Sequence, residues 1–399
     1  MSEWKKVTLD QMGIISRGKS KHRPRNDARL FGGKYPFIQT GDIGTAGLYV
    51  TEYSQTYNEE GLAQSKLWGK DTLCITIAAN IADTALLAFP ACFPDSIMGF
   101  IPYENIANVK FVKYCFDILQ RDCQQISQGT AQDNLSWKKL STILFPCPPI
   151  EVQNKIATIL SRYDSLIENY QKQIKLLEES AQRLYKEWFI DLRFPGHENT
   201  KIVDGVPEGW EKKKIKDLVD LKSGYAFKSS AFVEKGKYKI VTIKNVKDGV
   251  FDGDNVSYLN SVPEKMPSHC ILQTGDILLS LTGNVGRICM VVGDNYLLNQ
   301  RVAKLESKFP AFTYCLFRHY DTFVAINNLA NGAAQQNVSP IRIGEMDMLV
   351  ANDKFMYHFE KEAENIRTNI LNLYSQIRHL TEVRDRLLPK LMSGEKCFN

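Results

Sequence analysis

Residues 151–189 read EVQNKIATILSRYDSLIENYQKQIKLLEESAQRLYKEWF. From Ile156 onward, apolar residues recur in alternating steps of four and three: Ile156, Leu160, Tyr163, Ile167, Tyr170, Ile174, Leu177, Ala181, Leu184 and Trp188. That spacing puts all of them on one seam of a helix and leaves Glu, Lys, Gln and Arg on the remaining surface. A helix of this kind needs a partner to cover the seam. A second seam lies at a constant distance along the chain, from 156 to 359 and from 188 to 391: Phe359, Ala363, Ile366, Ile370, Leu373, Ile377, Leu380, Leu387 and Leu391, with Arg384 alone out of pattern. The chain supplies its own partner helix.

Two helices of about 33 seam residues, at about 1.5 Å per residue, would each be about 50 Å long. If the halves pack with the pseudo-two-fold symmetry that duplication invites, the helices run antiparallel as a coiled coil with the globular parts at opposite ends. Tyr163, Tyr170 and Trp188 would then face smaller aliphatic residues of the second seam, favouring self-pairing over a homodimer. Arg384, opposite an aromatic-rich seam, is the expected weak point. Glu178, Glu179 and Glu382 read as solvated faces of the helices.

The repeat extends into the segments before the helices. Gly129, Ala131, Gln132, Asn134 and Ser136 match Gly332, Ala334, Gln335, Asn337 and Ser339 at the same spacing. Further upstream the register drifts but the order persists. Trp4 and Trp210 each open a Lys-rich start (Trp4-Lys5-Lys6; Trp210-Glu211-Lys212-Lys213); a Ser/Gly/Lys loop follows at 16–19 and 223–228; then come a Tyr-led strand (35–40; 238–242) and an Asp-led buried strand (71–78; 276–281). Short β-rich runs punctuated by Gly, Pro and Asn, with a helical stretch at 109–120, indicate α+β domains with mixed or antiparallel sheets. The expected organisation is a globular part at 1–149, a long helix at 150–194 bounded by Pro149 and Pro195-Gly196, and a linker at 195–206. A second globular part at 207–352, a second long helix at 353–392 and a tail at 393–399 complete it.

Size and composition are those of an ordinary multidomain globular protein: 399 residues, 44% hydrophobic and 24% charged. The nine cysteines are scattered without metal-ligand spacing, which reads as reduced cytoplasmic thiols and excludes zinc or a disulfide scaffold from the expectation. No secretory signal opens the chain and the most apolar run, 73–93, is broken by Asn80, Asp83 and Pro90, so a cytoplasmic location without membrane contact is expected. A net charge of +5 permits nucleic-acid binding without announcing it.

Gly13 to Ser20 spells the phosphate-loop pattern G-x-x-x-x-G-K-[ST]. The residues that follow, KHRPRNDARL, place Pro24 and a charge cluster where that loop's helix should begin, which argues against nucleotide binding. As charge the segment says more: Arg17, Lys19, Lys21, Arg23, Arg25 and Arg29 stand against Asp27 alone, in a Pro-containing loop that suits DNA phosphates or base edges, with plain solvation as the lesser alternative. In the second copy Ser280 to Arg287, SLTGNVGR, puts Thr282, Asn284 and Arg287 on a glycine-hinged loop. Asn can read adenine and Arg guanine there, although a simple hairpin turn would use the same residues. The turns at Gln132, Asn134, Gln335 and Asn337 suggest a shared structural role with backbone or phosphate contacts. No methyltransferase tetrapeptide, G-x-G-x-x-G, H-E-x-x-H or G-x-S-x-G is present, and no catalytic or metal-binding residue is assigned. Composition alone also admits a coiled-coil scaffold whose globular ends bind proteins.

TLCITIAANIADTALL followed by ACFPDSIMGFIP, then GTAQDNLSWKKLSTILFPCPPIEVQNKIATILSRYDSLIE, and in the second half DILLSLTGNVGRICMVV followed by LLNQRVAKL, resemble the specificity subunits of type I restriction-modification systems over essentially the whole chain. One departure is that LVANDKFMY stands before the second helix where PCPPIEVQ precedes the first. The resemblance implies two target-recognition domains, each reading one half of a bipartite asymmetric site in double-stranded DNA. It also implies a helix pair that sets the spacing and docks two methyltransferase subunits. S-adenosylmethionine would belong to those partners, and ATP and Mg to restriction/translocase subunits; this chain would be non-catalytic and bind no cofactor. Besides the residues above, Thr40, Lys222, Tyr225, Lys228, Lys244 and Asn245 are candidate DNA contacts. Inserting one turn into 171–179 would lengthen the unread gap without changing either half-site.

Overall fold

The computed structural model describes residues 4–77, 82–126, 140–330 and 336–394, with 121–126 as backbone alone. The chain divides into two compact units, Met1–Asn169 with His379–Asn399, and Tyr170–Arg378. These units do not coincide with the two halves of the duplication: each takes part of both long helices. The C-terminal end of the second helix thereby completes the unit that contains the N-terminal domain.

The first unit is built on a sheet in the order Gly13–Arg17, Ile97–Pro102, Leu73–Thr76, Thr84–Leu87, Tyr49–Val50, antiparallel throughout except for the parallel last pair. The second unit has Val219–Ser223, Val302–Ser307, Ile277–Ser280 and Ile288–Met290, all antiparallel. With the edge strand Tyr49–Val50 set aside, the spatial order of the four shared strands in each copy is therefore first, fourth, second, third. Gly13 against Val219 is an offset of 206, Leu73 against Ile277 of 204, and the long helices start 203 apart (Ile150, Asp353). The drift expected upstream is confirmed, and it amounts to a few loop residues. The C-terminal domain adds a second sheet, Ser257–Leu259, Tyr238–Val241, Tyr296–Leu298 and Ile271–Leu272, where the N-terminal domain has the pair Phe31–Phe37 and Gln55–Tyr57. Among the described residues no helix is long and apolar enough to cross a membrane.

A two-stranded ladder launches each long helix. Lys6–Val7 pairs with Phe145–Pro146 ahead of the helix Ile150–Tyr185, and Glu211–Lys214 pairs with Asp347–Val350 ahead of the helix Asp353–Met392. The entries differ in their caps. In the first, the fully buried Gln153 accepts from Asn108 N (3.0 Å) and donates to Ile106 O (2.9 Å) and Pro148 O (2.8 Å). In the second, Asn352 Oδ1 accepts from Phe355 N (3.2 Å), an ordinary side-chain cap in place of the proline run.

Every seam position is buried or half-buried. In the first unit Ile156 and Leu160 share a core with Leu388 and Leu391; in the second, Ile174, Ala181 and Trp188 share one with Phe359, Ala363 and Ile370. Within each unit the two helical segments thus run antiparallel. Three expectations need correction. The α-helix stops at Tyr185, short of 194, and continues as one π-helical turn over Lys186–Ile190 before Leu192 takes a left-handed φ of 56°. The wider turn lets the consecutive Trp188 and Phe189 both face the core. Trp188 does not face small aliphatics but meets Phe359 edge-on, centroids 5.5 Å apart, and Phe189 meets Phe359, Phe312 and Trp210 at 5.0, 4.8 and 5.3 Å. Glu178 is not on a solvated face: its side chain is 12% exposed and accepts from the Tyr314 hydroxyl and from Arg318 Nε (3.4 Å).

Arg384 is the counterpart of that arrangement in the first unit and not a flaw. Its Nη1 lies 2.6 Å from Asp164 Oδ1, while the Tyr114 hydroxyl donates to Asp164 Oδ2 at 2.5 Å. Asp164 is 6% exposed, so this pairing satisfies a carboxylate that would otherwise be stranded in the core. Arg384→Ala should lower the unfolding free energy by about 3 kcal/mol in urea titrations, because it leaves a buried charge short of its partner. Trp188→Ala should cost about 3–5 kcal/mol by the same measurement, the range for emptying a large aromatic site in a packed core.

Candidate nucleic-acid interface

In both units the candidate contacts gather at one equivalent end of the sheet. Arg17 pairs with Met98 and Thr76 with Ile97, so the first and central strands of the N-terminal sheet end side by side. Ser223 pairs with Ala303 and Ser280 with Val302 in the C-terminal sheet, which gives the same end. The next residue is glycine in both copies for one steric reason. A Cβ on Gly18 would stand 2.3 Å from Pro94 O, and one on Gly224 would stand 2.4 Å from Asn299 O. The chain can then close onto the neighbouring loop, with Gly18 N donating to Ile97 O (2.8 Å) and Tyr225 N to Leu298 O (2.9 Å). This also disposes of the phosphate-loop spelling: Gly13–Arg17 is itself a paired strand, and no helix opens after Ser20.

The basic loop sorts into two sets. Arg23 donates from Nη1 to Ser20 O (2.7 Å) and His22 O (2.8 Å), Arg25 pairs with Asp95 at 2.6 Å, and Arg29 pairs with Asp27 at 2.7 Å. With His22 also on Asp27 at 2.8 Å, hydrogen bonds from Arg29 and His22 hold the Asp27 carboxyl well below the usual carboxylate range. Arg17, Lys19 and Lys21 are exposed and make no ion pair among the described residues. Half of the cluster therefore shapes the loop, and the other half presents charge to solvent.

In the C-terminal domain the sheet end opens as a cleft of about 540 Å³ lined by Ser223, Leu281, Thr282, Gln300, Arg301, Asn337, Val338, Ser339 and Pro340. Thr282 is 8% exposed and donates to Asn337 Oδ1 at 3.0 Å, so it lies at the floor and holds the exposed Asn337 beside it. Asn284 and Arg287 ride on the adjoining loop, which Ser280 Oγ closes by donating to Asn284 O (2.5 Å) and accepting from Arg287 N (3.0 Å). Arg301 and Gln300 project at the lip; both sit in the LLNQRVAKL segment, but only the folded chain sets them beside Asn337. A polar residue between an apolar strand and a tight turn was the available signal.

The remaining candidates do not line the cleft. Asn245 is fully buried and structural: its Oδ1 accepts from Thr242 N (2.7 Å) and Oγ1 (3.0 Å), and its Nδ2 donates to Asp252 O (2.8 Å) and Asn255 O (3.0 Å). Lys222 is engaged by Glu306 across the strand pair, where Glu306 also takes Lys304 at 3.1 Å; the Lys222 hydrogen bond holds the Glu306 carboxyl below its ordinary value. Tyr225 is half-buried against Phe227, centroids 5.2 Å apart. Thr40 is half-buried at the start of the short helix Thr40–Thr45, while Lys228 and Lys244 are exposed. Gln132, Asn134 and Gln335 lie outside the described residues.

Residues 1–179 and 207–345 match the family described as type I restriction modification DNA specificity domain. The matched segments span most of the chain and repeat the duplication seen in the two sheets. The chain therefore belongs to the type I restriction-modification DNA specificity family, and is a specificity subunit with DNA-recognition domains. Among relatives, it is 24% identical to the type I restriction enzyme MjaIX specificity subunit of Methanocaldococcus jannaschii over 98% of this chain and 93% of that one. It is 22% identical to the HindI specificity subunit of Haemophilus influenzae over 99% and 100%. The crystal structure of the type I restriction-modification S subunit from M. genitalium shares the fold with a TM-score of 0.61 at 17% identity, covering 97% of this chain and 96% of that one.

Replacing Arg17, Lys19 or Lys21 by alanine should weaken binding of any duplex alike. Each change should flatten the log–log salt slope of the assembled complex by about one, the loss of one phosphate contact. Fluorescence anisotropy at several salt concentrations checks this, and an unchanged slope for all three would remove the loop from the interface.

Proposed function

We propose that this chain is the non-catalytic recognition subunit of a cytoplasmic type I restriction-modification complex. Each recognition domain reads one half of a bipartite asymmetric site in double-stranded DNA, and the long helices set the gap and dock two methyltransferase subunits. The observation that carries this reading is the repeated sheet end. Two copies of one scaffold present different chemistry at the same place, unpaired Arg17, Lys19 and Lys21 in one and the Thr282–Asn337 cleft with Gln300 and Arg301, beside the loop that carries Arg287, in the other. Arg and the carboxamides are the side chains suited to paired hydrogen bonds with guanine and adenine edges, and exposed lysines suit phosphates. Different chemistry on one scaffold is what an asymmetric site requires. S-adenosylmethionine belongs to the methyltransferase partners in this scheme, ATP and Mg to the restriction/translocase subunits, and the chain itself needs no cofactor.

Reconstitution with the adjacent-gene methyltransferase, followed by single-molecule sequencing of the methylated DNA, tests the reading: a bipartite motif is expected, and no protected sequence would leave the scaffold alternative standing. Arg287→Ala and Arg301→Ala should relax one half-site only, with about 1–3 kcal/mol of discrimination lost at the affected base. A heptad added to both long helices, within 171–179 and within 366–373, adds about 10 Å of rod. It should widen the gap by about three base pairs at roughly 3.4 Å each, and altered half-sites with an unchanged gap would contradict the ruler role.

A further inference from the structure

The basic loop of the N-terminal domain is fastened to the residues that close a short helix beneath it. Gln64, the residue that closes the short helix Glu59–Ala63, turns its side-chain Oε1 toward two consecutive backbone N–H groups, Lys21 N at 2.7 Å and His22 N at 3.0 Å. The next residue adds a third tie, with Ser65 Oγ donating to Lys19 O at 2.7 Å. Two adjacent N–H groups converging on one oxygen form the kind of concavity that otherwise captures an anion. Here the protein fills it with its own amide oxygen. A phosphate approaching this loop therefore meets the exposed cations Arg17, Lys19 and Lys21, and not the backbone.

The amide's orientation is settled by chemistry, since only the oxygen can accept from two N–H donors. That orientation leaves Gln64 Nε2 buried without a partner. The Tyr57 hydroxyl, fully buried, comes near Gln64 and Ser20 without forming a geometrically sound hydrogen bond to either. Two orphaned polar groups side by side are costly, because each gives up its hydrogen bonds to water on burial. The Tyr57 ring is held by stacking on Phe37, centroids 4.1 Å apart, whereas the Gln64 amide is turned by the two loop N–H groups that take its oxygen.

We propose that Gln64 is a positioning residue for DNA recognition: it sets the conformation in which the loop at 18–25 presents Lys19 and Lys21 to the duplex, and the orphaned Nε2 and Tyr57 hydroxyl are the cost of that placement. The inference rests on the reading of this loop as a DNA contact. It adds that the loop is pre-organised by a side chain that never touches DNA, so that the ordering cost is met on folding and not on binding.

Gln64→Leu and Gln64→Glu separate this role from a packing role. Leucine removes the one side-chain oxygen that accepts from both N–H groups, leaving Lys21 N only the long bond to the backbone O of residue 64 (3.4 Å). Glutamate keeps an oxygen for the two N–H groups and turns its second oxygen toward the Tyr57 hydroxyl, replacing an orphaned donor with an acceptor. Hydrogen exchange on the full chain without DNA should show the Lys21 and His22 amides losing protection in Gln64→Leu and keeping it in Gln64→Glu. In the reconstituted complex Gln64→Leu should lose about tenfold in affinity for the cognate site, equivalent to about 1.4 kcal/mol, with methylation relaxed in one half-site and the other unchanged. Retained loop protection in Gln64→Leu, equal loss in both variants, or lost protection with wild-type methylation would each overturn the inference. Failure of the wild-type complex to methylate any bipartite site would instead overturn the reading of function, and the exchange measurement stands apart from it because no DNA is present.

Discussion

The structure depends on two carboxylates placed on one face of the first long helix. Asp164 and Glu178 are separated by 14 residues (178 minus 164), two heptads, so they occupy the same rotational position. Each is largely buried, and each receives a tyrosine hydroxyl and an arginine: Tyr114 and Arg384 on Asp164, Tyr314 and Arg318 on Glu178. An apolar seam alone would tolerate sliding by a heptad or rotation by a fraction of a turn. A buried carboxylate does not, because leaving it unpaired costs several kcal/mol. Both tyrosines come from the globular domains, Tyr114 in Val109–Ile126 and Tyr314 in Pro310–Arg318, so the same contacts that fix the helix also fix each domain to it.

The duplication is conserved in architecture and divergent in chemistry. Strand order, the launching ladder and the glycine after the first strand recur, each for a reason internal to the fold. The residues that those features carry to the sheet end do not recur. In one copy a loop closes over Gln64 with its free cations outward; in the other a threonine at the floor of a cleft holds an exposed asparagine, with arginine and glutamine at the rim. The scaffold thus separates the parts that must stay the same from the parts free to change.

Much of this was legible in the chain itself. The heptad seams, the pairing of the two helices, the duplication and the absence of catalytic motifs all follow from periodicities and spacings that any folded form must respect. The strand 277–280 and the loop that follows were readable because an apolar run must end at a turn. What the chain could not reveal was which polar residue faces what. Asn245 and Asn284 look alike as Asn residues near glycines or lysines, yet one is fully buried on four internal hydrogen bonds and the other is exposed. Six basic residues within thirteen read as one cluster, and three of them are consumed by Asp95, Asp27 and backbone carbonyls.

The sequence by itself determined the repeat, the two long amphipathic helices and their mutual need, because hydrophobic spacing is a local property that no packing can alter. Only the tertiary structure decided that Arg384 is a partner and not a flaw, that Glu178 is interior, and that Arg301 lies beside Asn337. Those facts depend on which distant residues meet. The acceptor for a charge or the neighbour of an amide is supplied by an element tens or hundreds of residues away, and its cost or benefit exists only once the chain has closed around it.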